Sequence, residues 1–270
     1  MPGIERISEA FESARASGRR AALMPYLMGG FPDLDTSRRI GLAYADSGAD
    51  LVELGVPFSD PLADGPVIHA AGTAALRAGV NVHDVLEVCR AIAERVPVVV
   101  MCYANLILAR GLERFADALL DAGASGLIVP DLPLEEAPDA LAACDARGLA
   151  LVPLVAPTTP DERLARIGAQ ARGFLYTVSL TGTTGERAGV AEGLAEVLGR
   201  AAAHTEVPVA VGFGISTAEQ AAAAAGAGAD GVIVGSRLVR AAGEGGPGGD
   251  PVPAVSALVR ELSAGLATGV

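Results

Sequence analysis

"DSGADLVELG" (46–55) is echoed by "DAGASGLIVP" (121–130) and by "GAGADGVIVG" (226–235). Each closes an alanine-rich helical pattern on glycine and enters an apolar run within a few residues. Glycine suits that stop because it takes the left-handed cap conformation without a Cβ penalty. The apolar runs are continuous rather than alternating, which predicts strands buried on both faces and therefore a parallel sheet with helical crossovers. Working outward, runs of strand length occur at 21–28, 51–55, 96–103, 126–131, 149–156, 173–179, 207–214 and 231–236. Between them lie segments with helical spacing, among them "TSRRIGLAYADSG" (36–48), "VHDVLEVCRAIAERV" (82–96) and "GLERFADALLDAG" (111–123).

Eight such units predict an α/β fold, a (β/α)8 TIM barrel, as a single domain over residues 1–270. A doubly wound open sheet is the alternative, but no early strand runs into G-x-G-x-x-G at a helix start. An extra N-terminal helix is expected at "ERISEAFESARA" (5–16), plugging the barrel floor. Additional helices are expected after strands two and eight. Residues 66–95 hold two helical patterns split by "AGVN" (78–81), and a flexible "GEGGPGGDPVP" (243–253) precedes a last helix at "AVSALVRELSAGLA" (254–267).

The net charge of −12 argues against a nucleic-acid or anionic membrane surface. All 20 cationic residues are Arg and none is Lys. That excludes protein Schiff bases, lysine-bound pyridoxal phosphate and a Walker-type lysine, each of which needs a primary amine. Cys89, Cys102 and Cys144 are widely spaced and read as buried inert thiols. His69, His83 and His204 fall in or beside helical stretches, which is little support for a histidine-built metal site. The N-terminal stretch is charged and lacks a signal-peptide core, and no apolar run has transmembrane length, so the expected location is cytoplasmic.

Barrels of this kind carry their active sites at the C-terminal ends of the strands. There "LVELGVPFSDPLADGP" (51–66) places Glu53, Asp60 and Asp64 with no cation among them. Glu53, inside the second strand, must point into the barrel or press on a helix. It is either an acid/base group of raised pKa or a carboxylate pinned by hydrogen bonds to hold a loop. Asp64 can fold back opposite it, although Asp60 and Asp64 also read as turn formers or helix N-caps. "GFGIST" (212–217) and "VGSR" (234–237), with "GTTG" (182–185), stand where barrels bind phosphate on helix N-termini. "SLTGTTGERAG" (179–189) has the composition of a lid, or of an ordinary surface loop. Tyr26, Tyr176 and Phe213 can line an apolar pocket, and core packing explains Phe213 equally well.

With these residues in hand, the chain resembles the tryptophan synthase α subunit family over essentially its whole length. "LVELGVPFSDPLADGP" matches the family signature, and "MCYANLI" (101–107), "VPDLPLEE" (129–136), "SLTGTTG" (179–185), "VGFGIST" (211–217) and "VGS" (234–236) follow in the family's order. The resemblance implies a metal-free, cofactor-free retro-aldol cleavage of indole-3-glycerol phosphate to indole and glyceraldehyde 3-phosphate. It implies that Glu53 shuttles the proton and that Asp64 meets the indole N–H. It further implies Tyr176 in the pocket, Thr184 as the lid residue engaging Asp64, and Gly185, Gly214, Gly235 and Ser236 in the phosphate cradle. Tyr26 stands where the family carries phenylalanine in the indole pocket. An α2β2 complex with a β subunit that receives the indole is implied too, with Asp60 and Asn105 at the interface. The rivals are another phosphate-binding barrel enzyme and a barrel that only activates a β-type partner.

Overall fold

The structure, a computed structural model, describes residues 1–178, 187–212, 214–244 and 249–267, with the backbone alone for 187–192. Its strand segments β1 (Ala22–Met28), β2 (Val52–Gly55), β3 (Val98–Met101), β4 (Gly126–Ile128), β5 (Ala150–Val152), β6 (Leu154–Val155), β7 (Leu175–Val178), β8 (Val209–Gly212) and β9 (Gly231–Val234) form one parallel sheet. Successive segments pair around the sheet and β1 pairs β9, with Ala22 beside Gly231. The single seam lies between β5 and β6, consecutive pieces of the predicted fifth strand. Pro153 separates them: lacking an N–H it donates nothing, while its carbonyl accepts from the Tyr176 N–H (3.0 Å). Below the break the strand pairs with β4, and above it with β7. The fold is therefore the expected TIM barrel, its fifth stave counted as two segments.

The three echoed stretches fold alike. Gly48, Gly123 and Gly228 all take positive φ, at 104°, 72° and 103°. The next residue reaches back across the helix end in each: Ala49 N–H to Tyr44 O, Ala124 to Leu119 and Ala229 to Ala224, at 3.0–3.2 Å. This closes the orphan carbonyls of the helix. The residue after that donates to the neighbouring strand: Asp50 to Leu23 O, Ser125 to Val98 O and Asp230 to Val209 O. One local device sets both the helix stop and the strand register, three times over.

Between the strands run α2 (Leu34–Asp46), α3 (Pro66–Arg77), α4 (Val82–Ala93), α5 (Ala104–Leu108), α6 (Leu112–Asp121), α7 (Pro138–Asp145), α8 (Asp161–Gly168), α9 (Arg187–Ala202), α10 (Ala218–Gly226), α11 (Ser236–Gly243) and α12 (Val252–Gly265), with α1 (Gly3–Ala16) ahead of β1. Two helices follow the second strand, α3 and α4, and two follow the last, α11 and α12, so each place carries one helix more than the repeat needs, as expected. Of the expected lid, 179–186 lie outside the described residues, and 187–189 already belong to α9. In the predicted connection 243–253, residues 245–248 lie outside the described residues. Its ends are helical: Gly243 is the last residue of α11, and Val252 and Pro253 open α12, where Pro253 needs no N–H partner.

Strand alternation then decides the interior. In β1, β2 and β3 the side chains of Leu23, Leu27, Val52, Leu54, Val98 and Val100 join the helix layer. Their neighbours Met24, Leu51 and Val99 point inward, where they meet Ile7 and Phe11 of α1. Small residues make that insertion possible: Ala22, Ala150 and Ala210 line the floor, and a Cβ on Gly231 would come within 3.0 Å of the Phe11 ring. The N-terminal helix therefore plugs the barrel floor as the sequence predicts, and polar chemistry is left to the other end. No helix among the described residues is long and apolar enough to cross a membrane.

Candidate active site

Alternation that sends Val52 and Leu54 outward sends Glu53 into the barrel, level with Tyr26 of β1 and Val99 of β3. Glu53 is 3% exposed, and its Oε2 has no hydrogen-bond partner among the described residues. Burial pushes its pKa from the ordinary 4.5 up to about 8, and the charge of Asp64 adds to the shift. A carboxyl held this way can exchange a proton near neutral pH. The pinned-carboxylate alternative for Glu53 finds no support in its hydrogen bonding.

Asp64 faces the same cavity, of about 390 Å3, whose wall also includes Tyr26, Ile68, Met101, Leu154 and Tyr176. It is not the cap of α3, whose N-cap is Gly65. Its Oδ1 instead accepts from the Tyr103 hydroxyl (2.9 Å), and the same hydroxyl accepts from the Ala63 N–H (3.0 Å). The Tyr103 ring stacks on Phe58 at 5.1 Å. Two ends of the loop after β2 are thus tied to Tyr103, the residue just before α5. Burial raises the Asp64 pKa, and the Tyr103 hydrogen bond and the charge of His69 oppose that rise. Tyr103, inside "MCYANLI" (101–107), is not singled out by its sequence. Its position just past the C-terminal end of β3 was the available signal.

The two pocket tyrosines are seated over glycines. A methyl group on Gly55 would overlap the Tyr26 hydroxyl, and one on Gly212 would come within 2.6 Å of the Tyr176 hydroxyl. The Tyr26 hydroxyl is buried with no partner among the described residues. Burial, with the nearby Asp64 and Glu53 charges, keeps that hydroxyl protonated. Burial and the charge of Glu53 do the same for Tyr176.

Across β1 from Glu53 the cavity is bounded by Gly214, Gly235, Ser236, Arg237 and Arg240. Gly214 has φ +67°, and α11 starts at Ser236 with no side-chain cap, so its first N–H groups are available to an anion. Phe213, Thr184 and Gly185 lie outside the described residues. Asp60 and Asn105 do not line the cavity; both are exposed at the same end of the barrel, Asp60 on the loop after β2 beside the exposed Leu62 and Asn105 in α5 with the exposed Leu108. Among the described residues no group of three His, Cys, Asp or Glu could hold a metal ion.

Residues 11–259 match the family model described as "Tryptophan synthase alpha chain". The chain belongs to the tryptophan synthase alpha chain family. It is 49% identical over 258 residues to the tryptophan synthase alpha chain of Synechococcus elongatus, covering 95% of each chain. Against that of Methanosarcina mazei it is 46% identical over 261 residues, covering 97% of this chain and 94% of the relative. Among solved structures, tryptophan synthase from Mycobacterium tuberculosis superposes with a TM-score of 0.89 at 44% identity, covering 98% and 99% of the two chains. The alpha subunit from Legionella pneumophila gives 0.88 at 36% identity, covering 98% of both chains. Members of the tryptophan synthase alpha chain family are lyases of tryptophan biosynthesis, and this chain is an enzyme of that kind.

Proposed function

We propose that this protein cleaves indole-3-glycerol phosphate to indole and glyceraldehyde 3-phosphate by a retro-aldol reaction, with Glu53 and Asp64 as its acid/base pair. The observation that carries the reading is Glu53 itself: a carboxyl inside the barrel wall, without a hydrogen-bond partner among the described residues, facing a cavity it shares with Asp64. With a pKa near 8, Glu53 is mostly protonated at neutral pH and can act first as an acid.

Protonation of indole C3 by Glu53 makes the ring an electron sink with positive charge at the N–H, which the Asp64 carboxylate stabilises. The Glu53 carboxylate then takes the C3′ hydroxyl proton. The C3–C3′ bond breaks, its electron pair returns to the ring to give neutral indole, and the hydroxyl carbon becomes the aldehyde. Glu53 ends protonated, as it began. No imine is needed, consistent with a chain that has no lysine.

Tyr26, Tyr176 and Phe213 bound the indole, Gly185, Gly214, Gly235 and Ser236 hold the glycerol phosphate, and Thr184 engages Asp64. A β subunit in an α2β2 complex receives the indole, with Asp60 and Asn105 on the docking face. The whole works in the cytoplasm as a single domain, without metal or cofactor. The test is indole release from indole-3-glycerol phosphate by the purified protein, with and without a β subunit. Absence of indole in both settings would overturn the reading.

A further inference from the structure

The cavity wall across β1 from Glu53 carries cations as well as amides. Arg237 and Arg240 both line it, and a spacing of three residues on α11 puts them on one helix face. Arg237 is half-buried and Arg240 exposed. In a chain of 32 acidic residues, many arginines elsewhere are taken up by carboxylates, among them Arg163 by Glu135, Arg147 by Asp117 and Arg200 by Asp161, while exposed ones such as Arg260 have no such partner among the described residues. Among the described residues neither Arg237 nor Arg240 joins an ion pair or a side-chain hydrogen bond. The carboxylates on the cavity wall, Glu53 and Asp64, stand on the β2 side. Two unengaged guanidinium groups beside an uncapped helix start form a site for an anion carrying more than one charge.

We propose that Arg237 and Arg240 supply side-chain charge to the anion site at the start of α11 and make it select a phosphate monoester dianion. This rests on the function proposed above, in which the glycerol phosphate occupies that side of the cavity. Amide donors and a helix dipole favour any anion. A planar guanidinium adds paired donors and a full charge that favour two phosphate oxygens. The glycerol phosphate is thereby anchored while the indole ring is left to Tyr26, Tyr176 and the two acids.

The experiment compares wild type, R237Q/R240Q, R237K/R240K and R260Q, all full length. Arg260 is exposed on α12, so R260Q controls for lost charge at a distance. Glycerol 3-phosphate is titrated into each by calorimetry, and KM and kcat for indole release are measured. The double glutamine variant should bind glycerol 3-phosphate about tenfold more weakly, as expected for lost charge-assisted hydrogen bonds. Its loss in turnover should fall on KM rather than kcat, and the double lysine variant should recover only the part of the affinity that charge alone supplies. Equal glycerol 3-phosphate affinity in R237Q/R240Q and R260Q would overturn the proposal. If wild type released no indole, the function reading would fail, and the calorimetric comparison would still decide this one.

Discussion

Glu53→Gln should make the protein more stable and nearly inactive at once. The substitution keeps shape and removes only the titratable proton. In the folded chain the Glu53 pKa is raised from 4.5 to about 8. Below pH 4.5 both folded and unfolded chains hold the proton, so burial of the carboxyl exacts no electrostatic penalty. As pH rises, the unfolded chain releases the proton while the folded chain keeps it, so stability falls until pH passes about 8. At about 1.4 kcal/mol per pH unit, the accumulated loss is on the order of 5 kcal/mol. That is a large share of the 5–15 kcal/mol typical of a folded domain. Glutamine does not titrate and escapes this loss. Urea unfolding of both proteins from pH 4.5 to 8.5 is the assay, with indole release measured on the same samples. The stability difference should swing toward the variant as pH rises, while turnover falls by roughly 10²–10⁴. A pH-independent difference would mean that Glu53 ionises as it would in water, and the reasoning from burial would be refuted.

Other perturbations have equally definite outcomes. Tyr103→Phe keeps the ring against Phe58 but removes the donor to Asp64, so the Asp64 pKa rises and the acidic limb of the kcat/KM profile moves to higher pH; an unmoved limb would count against Tyr103 as the residue positioning Asp64. Gly55→Ala should destabilise by about 1–3 kcal/mol, because its methyl meets the Tyr26 hydroxyl. Tyr26→Phe removes a buried hydroxyl without a partner among the described residues, so it should raise urea stability by about 1 kcal/mol and rescue part of the Gly55→Ala loss. Phe11→Ala empties part of the barrel floor and should lower unfolding free energy by about 3–5 kcal/mol, leaving kcat of the folded fraction unchanged.

The barrel was legible because its signals are local. Glycines 48, 123 and 228 mark helix stops that need positive φ, and continuous apolar runs mark strands covered on both faces. Glu53 was legible for the opposite reason, since a carboxylate in such a run violates the pattern of its neighbours. The split at Pro153 was not, because a proline inside an apolar run does not say which neighbour each half will pair with. Nor was the role of Tyr103, whose hydroxyl reaches Asp64 across 39 residues of sequence. Arg237 and Arg240 look like ordinary surface arginines until the helix start that carries them is set against the cavity.

Carboxylates have opposite fates at the two ends of this barrel, and the difference supports the proposed site. Asp50 and Asp230 occupy equivalent places where two of the echoed units enter their strands. Each accepts a strand N–H, Leu23 and Val209 respectively, and each pairs with an arginine close to the end of α1, Arg19 and Arg15. A carboxylate with such partners stabilises register, and its charge is spent on structure. Glu53 lies three residues beyond Asp50, inside the wall, and its Oε2 has no such partner among the described residues. Filling its place with an apolar side chain would cost the fold nothing that packing could not supply. The loss in stability that follows from burying Glu53 falls where the cavity opens, which is the place the proposed proton transfer requires.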